Sequence, residues 1–133
     1  AMRRVTDFIH SKGRFADLHC CGSNIKQVPN MIAAGFDSWM PQSMNDIAKI
    51  YDSYGDRLLI ATMPDIYDPQ NTTEEEQRAY ARAYANKYCR PEKPSALSMY
   101  SMALGILTNA FREELYRQSR INYYDKQGEE DLQ

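Results

Sequence analysis

The chain has 133 residues, 43% of them hydrophobic, and a formal net charge of −2, which fits one globular domain with its own core. Its 16 basic residues are scattered among 18 acidic ones, so the sequence predicts neither a nucleic-acid partner nor a membrane-binding face. No stretch approaches the roughly 20 apolar residues of a membrane span, and the N-terminus lacks a secretory signal, so we expect a cytoplasmic protein. Its three cysteines do not resemble a disulfide framework, so we expect reduced thiols or a metal.

The first half of the chain alternates between helical patterns and short apolar strands. The helical patterns fall at residues 5–9, 25–32 and 44–51, and the strands at residues 15–20, 36–40 and 58–61. Each helical pattern ends at a glycine, which is a common helix stop signal. This alternation predicts an α/β fold with a parallel sheet and right-handed crossovers.

The second half begins with a polar loop that leads into a long helix. Two candidate capping boxes could start this helix: Thr72 with Glu75, and Thr73 with Glu76. We expect the helix to run to about Cys89 and to carry an aromatic stripe that serves packing, formed by Tyr80, Tyr84 and Tyr88. A fourth short strand at residues 96–100 and a last helix carrying residues 106–115 are predicted to follow.

The first predicted strand carries candidate metal ligands at its carboxyl end. Side chains alternate along a strand, so Asp17, His19 and Cys21 share one face, while the opposite face suits packing under helices. His19 and Cys21 thus offer an imidazole and a thiol on one side, at a spacing suited to zinc. The alternative interpretation makes His19 a hydrogen-bonded sheet residue and Cys21 a small buried hydrophobe.

Two further residues have no predicted chemistry of their own. Trp39, at the end of the second strand, is interpreted as a core residue rather than a pocket wall. His10 lies near the end of the first helix, where a partial positive charge suits the helix dipole. The sequence contains no glycine-rich nucleotide loop, nucleophile elbow or zinc-protease motif.

The order of these segments resembles the C-terminal part of the uroporphyrinogen decarboxylase superfamily, from about Met2 to Tyr124. The resemblance rests on LHCCGSNIKQVPNMIAAGFDSW, DIAKIYDSYGDRLLIATMPDI, the helix start TTEEE and the late FREELYRQSRINYYD. The superfamily joins haem-pathway decarboxylases to corrinoid-dependent methyltransferases on a TIM-barrel fold. The resemblance implies that residues 1–124 are the C-terminal half of a (β/α)8 barrel, with about three to four parallel strands and flanking helices. Residues 125–133 would form a polar tail.

The resemblance also implies a zinc site. In the methyltransferase branch, a His-x-Cys pair and a more distant cysteine hold a catalytic zinc ion that activates a thiol acceptor. His19 and Cys21 match the pair in type, spacing and place at a strand end. Cys89 is the remaining candidate for the third ligand, although the family's third cysteine follows the final strand, where this chain has residues 98–100.

One acidic residue is a candidate catalytic group. Asp65, in the run TMPDI, resembles the aspartate that follows the corresponding strand in many relatives, so it is expected to contact a substrate. The alternative is a loop or helix-capping carboxylate.

These expectations leave several functions open. Together with an N-terminal half, the chain would form a zinc-dependent methyltransferase. A corrinoid protein would be its methyl carrier. The alternative enzyme is uroporphyrinogen decarboxylase, of porphyrin biosynthesis, which needs no metal or cofactor. The third hypothesis is a non-catalytic fragment, since the isolated half-barrel is expected to be inactive. Its open strand edges predict self-association or pairing with the missing half.

Overall fold

The computed structural model describes residues 1–130, and the side chains of residues 1–124. The chain forms two compact units, Ala1–Thr62 and Met63–Gln133. The first unit contains α1 (Met2–Ser11), β1 (Asp17–Leu18), a 3₁₀ turn (Ile25–Gln27), α2 (Val28–Ala33), β2 (Ser38–Trp39), α3 (Ile47–Tyr54) and β3 (Leu59–Thr62). The second contains α4 (Glu74–Tyr88), β4 (Ser95–Leu97), α5 (Tyr100–Ala103) and α6 (Asn109–Glu130).

The first unit is built on a parallel sheet of β1, β2 and β3 in that order. The register aligns Asp17, Ser38 and Leu59 in one row across the three strands. The next row, which points to the opposite face, contains Trp39 and Ile60, and both are fully buried. Because helices separate these parallel strands in sequence, the predicted α/β fold with flanking helices is confirmed.

The core of this unit lies between the sheet and its helices. It consists of buried residues from both layers: Val28, Met31, Trp39, Ile50, Leu58 and Ile60. Leu18 and Cys20 pack against this cluster, whereas Asp17, His19 and Cys21 are exposed. The predicted alternation of side chains along β1 and the interpretation of Trp39 as a core residue are therefore confirmed.

The strands are shorter than the sequence predicted. β1 contains two residues where the apolar run predicted 15–20, because complete ladder pairing with β2 covers only that length. Backbone hydrogen bonds from Asp37 to the Ala16 carbonyl and from Met40 to the Leu18 carbonyl flank the paired residues. β4 begins at Ser95, and α5 begins at Tyr100, where the sequence predicted the end of a strand.

Helix boundaries in the first unit follow local chemistry. α2 begins at Val28, and Pro29 lies in its first turn, where the missing N–H of proline leaves no hydrogen bond unmade. α3 begins at Ile47 because Asp46 caps it by accepting the Lys49 N–H, so Met44 lies outside the helix and is exposed. α1 turns Val5 and Phe8 outward.

The second unit begins with a capped helix. The Thr73 hydroxyl accepts the Glu76 N–H at 3.3 Å, and the Glu76 carboxylate accepts the Thr73 N–H at 2.8 Å. Of the two candidate capping boxes, this is the one that forms, and α4 ends at Tyr88, directly before Cys89. Tyr84 and Tyr88 are buried, which confirms the packing interpretation for these two tyrosines. Tyr80, the third of the predicted stripe, is half-buried and lines an open cavity.

α6 continues through residue 124 to Glu130, so it extends into the segment predicted as a polar tail. Residues 131–133 of that predicted tail lie outside the described residues. Within residues 1–130, none of the helices combines the length and the apolar character that crossing a bilayer requires.

Candidate metal centre

His19 and Cys21 lie just past the end of β1, and both side chains are exposed. The His19 Nε2 atom is 3.8 Å from the Cys21 Sγ atom. With Zn–N near 2.0–2.1 Å and Zn–S near 2.3 Å, two ligands at the tetrahedral angle on one zinc ion lie about 3.6 Å apart. The separation in this chain fits two ligands of a single zinc ion, and the interpretation of Cys21 as a buried hydrophobe is wrong.

The other ring nitrogen of His19 fixes the orientation of the imidazole. His19 Nδ1 lies 3.2 Å from the backbone carbonyl oxygen of Met40. A carbonyl oxygen only accepts hydrogen bonds, so this contact places the proton on Nδ1 and leaves the Nε2 lone pair facing Cys21. Metal-binding histidines commonly hold the non-ligating nitrogen in this way. Without a metal ion, the Cys21 thiol can donate to the same Nε2 atom.

The loop that carries Cys21 is held by side chains of the loop between β2 and α3. The buried Asn45 side chain donates from Nδ2 to the Gly22 carbonyl at 3.0 Å and accepts the Asn24 N–H at 2.9 Å. Gln42 accepts the Gly22 N–H at 2.9 Å. Our sequence reasoning missed Gln42 and Asn45. Their place in the loop that follows β2, at the same sheet edge as Cys21, is the signal that could have found them.

Cys89 lies in the second unit, at the C-terminus of α4, and is half-buried. Burial raises the pKa of its thiol, which favours the neutral form over the thiolate that binds metals. Among the side chains that the structure describes, no group of three His, Cys, Asp or Glu residues is arranged to hold a metal ion. His19 and Cys21 are thus brought together without a third ligand of these types, and the role of Cys89 stays a prediction.

Asp65 lies in the second unit, in the exposed loop that precedes α4. It lines an open cavity of about 470 Å³, together with Asn71, Thr72, Glu76, Tyr80 and two alanines. The Tyr80 ring stacks on the Tyr67 ring, with ring centroids 4.6 Å apart and an angle of 14° between the ring planes. Asp65 is thus a loop carboxylate, as the alternative interpretation allows, and it does not cap α4, because Thr73 does. The predicted contact between Asp65 and a substrate is compatible with its place in a cavity wall.

Comparison with known proteins does not identify the site. No family model matches the chain, and no curated protein or solved structure matches it. The site is therefore interpreted from its own geometry.

Proposed function

We propose that this chain is the C-terminal half of a TIM barrel of the uroporphyrinogen decarboxylase superfamily, from its zinc- and corrinoid-dependent methyltransferase branch. His19 and Cys21 would supply two of the zinc ligands. The observation that carries the proposal is the 3.8 Å separation of Nε2 and Sγ, with the proton of His19 held on Nδ1 by Met40. The sheet of consecutive parallel strands with intervening helices is the local architecture of such a barrel.

The chemistry of the site follows from the two side chains. A bound zinc ion would act as a Lewis acid that lowers the pKa of an acceptor thiol. His19 would bind through Nε2 while its Nδ1–H keeps donating to the Met40 carbonyl, which fixes the ring plane. Cys21 would bind as the thiolate and release its proton to solvent. Both side chains are exposed, so an acceptor can approach them.

Other parts of the reaction belong to partners. A corrinoid protein would carry the methyl group in this branch, and we assign no residue of this chain to the corrinoid. We propose that Asp65 contacts a substrate from the wall of its cavity. Because catalytic sites in barrels draw groups from several strands, we expect the isolated chain to be inactive even when it binds zinc.

The decarboxylase branch is the less favoured alternative. Its porphyrinogen substrate carries several carboxylates, which are best bound by arginine and lysine side chains. Among the described residues, the cavity of about 470 Å³ beside Asp65 is lined by two carboxylates, Asp65 and Glu76, and by no lysine or arginine. A smaller cavity that Asp65 also lines contains a cation, Lys87. This charge pattern suits a polyanionic substrate poorly.

A half-barrel needs another chain to complete it. β1 lies at the edge of the sheet, and Phe15 beside it is 87% exposed. An unpaired edge next to an exposed aromatic ring favours association, so we propose that the N-terminal barrel half, or a second copy, pairs there. Light scattering of the purified chain tests the second-copy case, and a compact monomer at all concentrations would contradict it.

The metal proposal is tested by elemental mass spectrometry of the purified chain. We expect about one zinc ion per chain, with zinc lost in both His19→Ala and Cys21→Ser. Cys20→Ser is the matched control, because Cys20 is the neighbouring cysteine but packs toward the core on the opposite side. It should retain zinc.

Two outcomes would contradict the metal proposal. One is the absence of zinc from chain prepared under reducing, chelator-free conditions, and the other is retention of zinc by His19→Ala and Cys21→Ser. The same measurement on Cys89→Ser tests the third ligand. Loss of zinc in that variant would support Cys89, and full retention would remove it from the site.

A further inference from the structure

We infer that Asn45 is a positioning residue that presents Cys21 to His19. This inference rests on the proposed function, because it concerns the same pair of ligands. It assigns the loop between β2 and α3 a specific task, which is to fix the distance between the imidazole nitrogen and the sulfur.

Both the oxygen and the nitrogen of the Asn45 side-chain amide form hydrogen bonds. Asn45 is 5% exposed. Its Nδ2 group donates to the carbonyl oxygens of Gly22 and Gln42, both at 3.0 Å, and its Oδ1 atom accepts the Asn24 N–H at 2.9 Å. The bond to Gln42, within its own loop, fixes the amide plane. The other two bonds then hold the loop that follows Cys21.

Both backbone polar groups of Gly22 are hydrogen-bonded to side chains of the loop between β2 and α3. Its N–H donates to Gln42 Oε1 at 2.9 Å, and its carbonyl accepts from Asn45 Nδ2 at 3.0 Å and from Asn24 Nδ2 at 3.1 Å. Gly22 has a φ of +91°, a conformation that side-chain-bearing residues rarely adopt. The chain therefore turns sharply directly after Cys21, and Gln42 and Asn45 hold that turn. Asn24 adds a bond to the Cys21 carbonyl at 2.7 Å.

The imidazole is held by the same neighbouring segment. Met40, whose carbonyl contacts His19 Nδ1 at 3.2 Å, follows β2 and precedes Gln42 and Asn45 in the chain. One segment, residues 40–45, thus holds His19 at its start and the Cys21 loop at its end. The separation of the two ligand atoms is set by this segment, with Asn45 as the buried residue that ties the two loops together.

The test compares two variants that add the same charge. Asn45→Asp keeps the shape and the acceptor for the Asn24 N–H, but it replaces the Nδ2 donor by an oxygen that faces two carbonyl oxygens. Gln42→Glu also adds one negative charge near Cys21, but it keeps an acceptor for the Gly22 N–H. A difference between the two variants therefore reports the donor and not the charge.

The first readout needs no metal. In metal-free, isotope-labelled protein, nuclear Overhauser contacts between the His19 ring protons and the Cys21 Hβ protons report the pairing directly. We expect these contacts in the wild type and in Gln42→Glu, and we expect Asn45→Asp to lose them while its circular dichroism spectrum stays folded. A merely structural role for Asn45 would change the melting temperature but leave the His19–Cys21 contacts in the folded protein.

The second readout is the affinity for Zn²⁺, measured by competition with a chelator. Loss of a partner that orients a ligand weakens metal binding by about 10–100-fold. We expect that loss in Asn45→Asp and none in Gln42→Glu, whose added negative charge favours a nearby cation. Intact Overhauser contacts in Asn45→Asp would overturn the inference.

Failure of the proposed function is distinguishable from failure of this inference. If the wild type shows the contacts but binds no zinc, the metal proposal fails, and the comparison of contacts between variants still decides the role of Asn45. If Asn45→Asp does not fold, Asn45→Ser removes the amide without adding a charge and is measured in the same way. If neither variant folds, Asn45 is a folding residue and the positioning role is overturned.

Discussion

Asp37 joins α1 to β1 through a single carboxylate oxygen. Its Oδ2 atom lies 2.7 Å from His10 Nε2 and accepts the backbone N–H of Ala16 at 2.6 Å. The Ala16 hydrogen bond, followed by the interaction with His10, lowers the pKa of Asp37 below its usual value of 3.8. His10 thus contacts the carboxylate of the residue directly before β2, as well as lying near the C-terminus of its helix.

The lowered pKa of Asp37 predicts a specific loss of stability in acid. Near and below the usual pKa, the unfolded chain takes up a proton at this position more readily than the folded chain does. Lowering the pH therefore favours unfolding, and the contribution of Asp37 is lost as the pH falls through its folded-state pKa. Urea unfolding followed by circular dichroism from about pH 5 downward should show a smaller decline in Asp37→Asn than in the wild type. Equal declines in the two proteins would show that Asp37 adds nothing to the acid sensitivity.

Glu114 should be more important for stability than its neighbour Glu113. Glu114 is 4% exposed and receives hydrogen bonds from Arg117 and Arg82, which lower its pKa. Replacing it by Gln removes the charge that both guanidinium groups contact, and we expect a loss of about 1–3 kcal/mol in the free energy of unfolding. Denaturant titration measures this loss.

Glu113→Gln is the matched control for Glu114. The Glu113 side chain is 66% exposed and pairs with Arg78 at 2.9 Å. An exposed pair of this kind contributes little, so we expect a change within about 0.5 kcal/mol. If both substitutions had the same effect, burial of Glu114 between helices α4 and α6 would not be what makes it important.

The capping box at the start of α4 predicts a measurable cost for one hydroxyl. Thr73→Ala removes the acceptor for the Glu76 N–H and should lower the free energy of unfolding by about 1 kcal/mol. Thr73→Ser keeps the hydroxyl and should restore most of that loss. Denaturation midpoints of the two variants and the wild type measure these losses. A Ser variant as unstable as the Ala variant would show that the threonine methyl group, and not the hydroxyl, is responsible.

The hydroxyl group of Tyr67 should contribute to the stability of the fold. The ring is buried, and the hydroxyl donates to the backbone carbonyl of Ile106, which is also buried. Tyr67→Phe leaves that carbonyl without this donor, and we expect a loss of about 1–3 kcal/mol in thermal or denaturant unfolding. Tyr80→Phe keeps the ring stacked on Tyr67 at the open cavity and should cost less. The reverse order would contradict the assignment of the Tyr67 hydroxyl to the core.

Features set by neighbouring residues could be predicted from the sequence. The capping residues Thr73 and Glu76 are three positions apart, and the choice between two boxes was all that remained open. The shared face of His19 and Cys21 followed from the alternation of side chains along a strand. Its exposure did not, because Cys21 was also interpreted as a buried hydrophobe. The end of α4 at Tyr88 also followed, because the helical pattern stops before Pro91.

Features set by long-range contacts could not be predicted. His10 and Asp37 are 27 positions apart, and Asn45 and Gly22 are 23 apart, so no local pattern links them. α1 has an apolar pattern, yet its buried residue is Thr6, whose hydroxyl contacts the Ala34 carbonyl. Its apolar residues Val5 and Phe8 are exposed, because the tertiary contact of Thr6 with the end of α2 decides which side of α1 is buried.

The burial of Trp39 provides a natural probe for unfolding. It is the chain's one tryptophan, it lies fully buried in the first unit, and most tyrosines lie in the second. Its fluorescence therefore reports the melting of the first unit alone, while far-ultraviolet circular dichroism reports helices in both. Coinciding transitions by the two signals would identify one cooperative molecule, whereas separated midpoints would identify two units that melt independently.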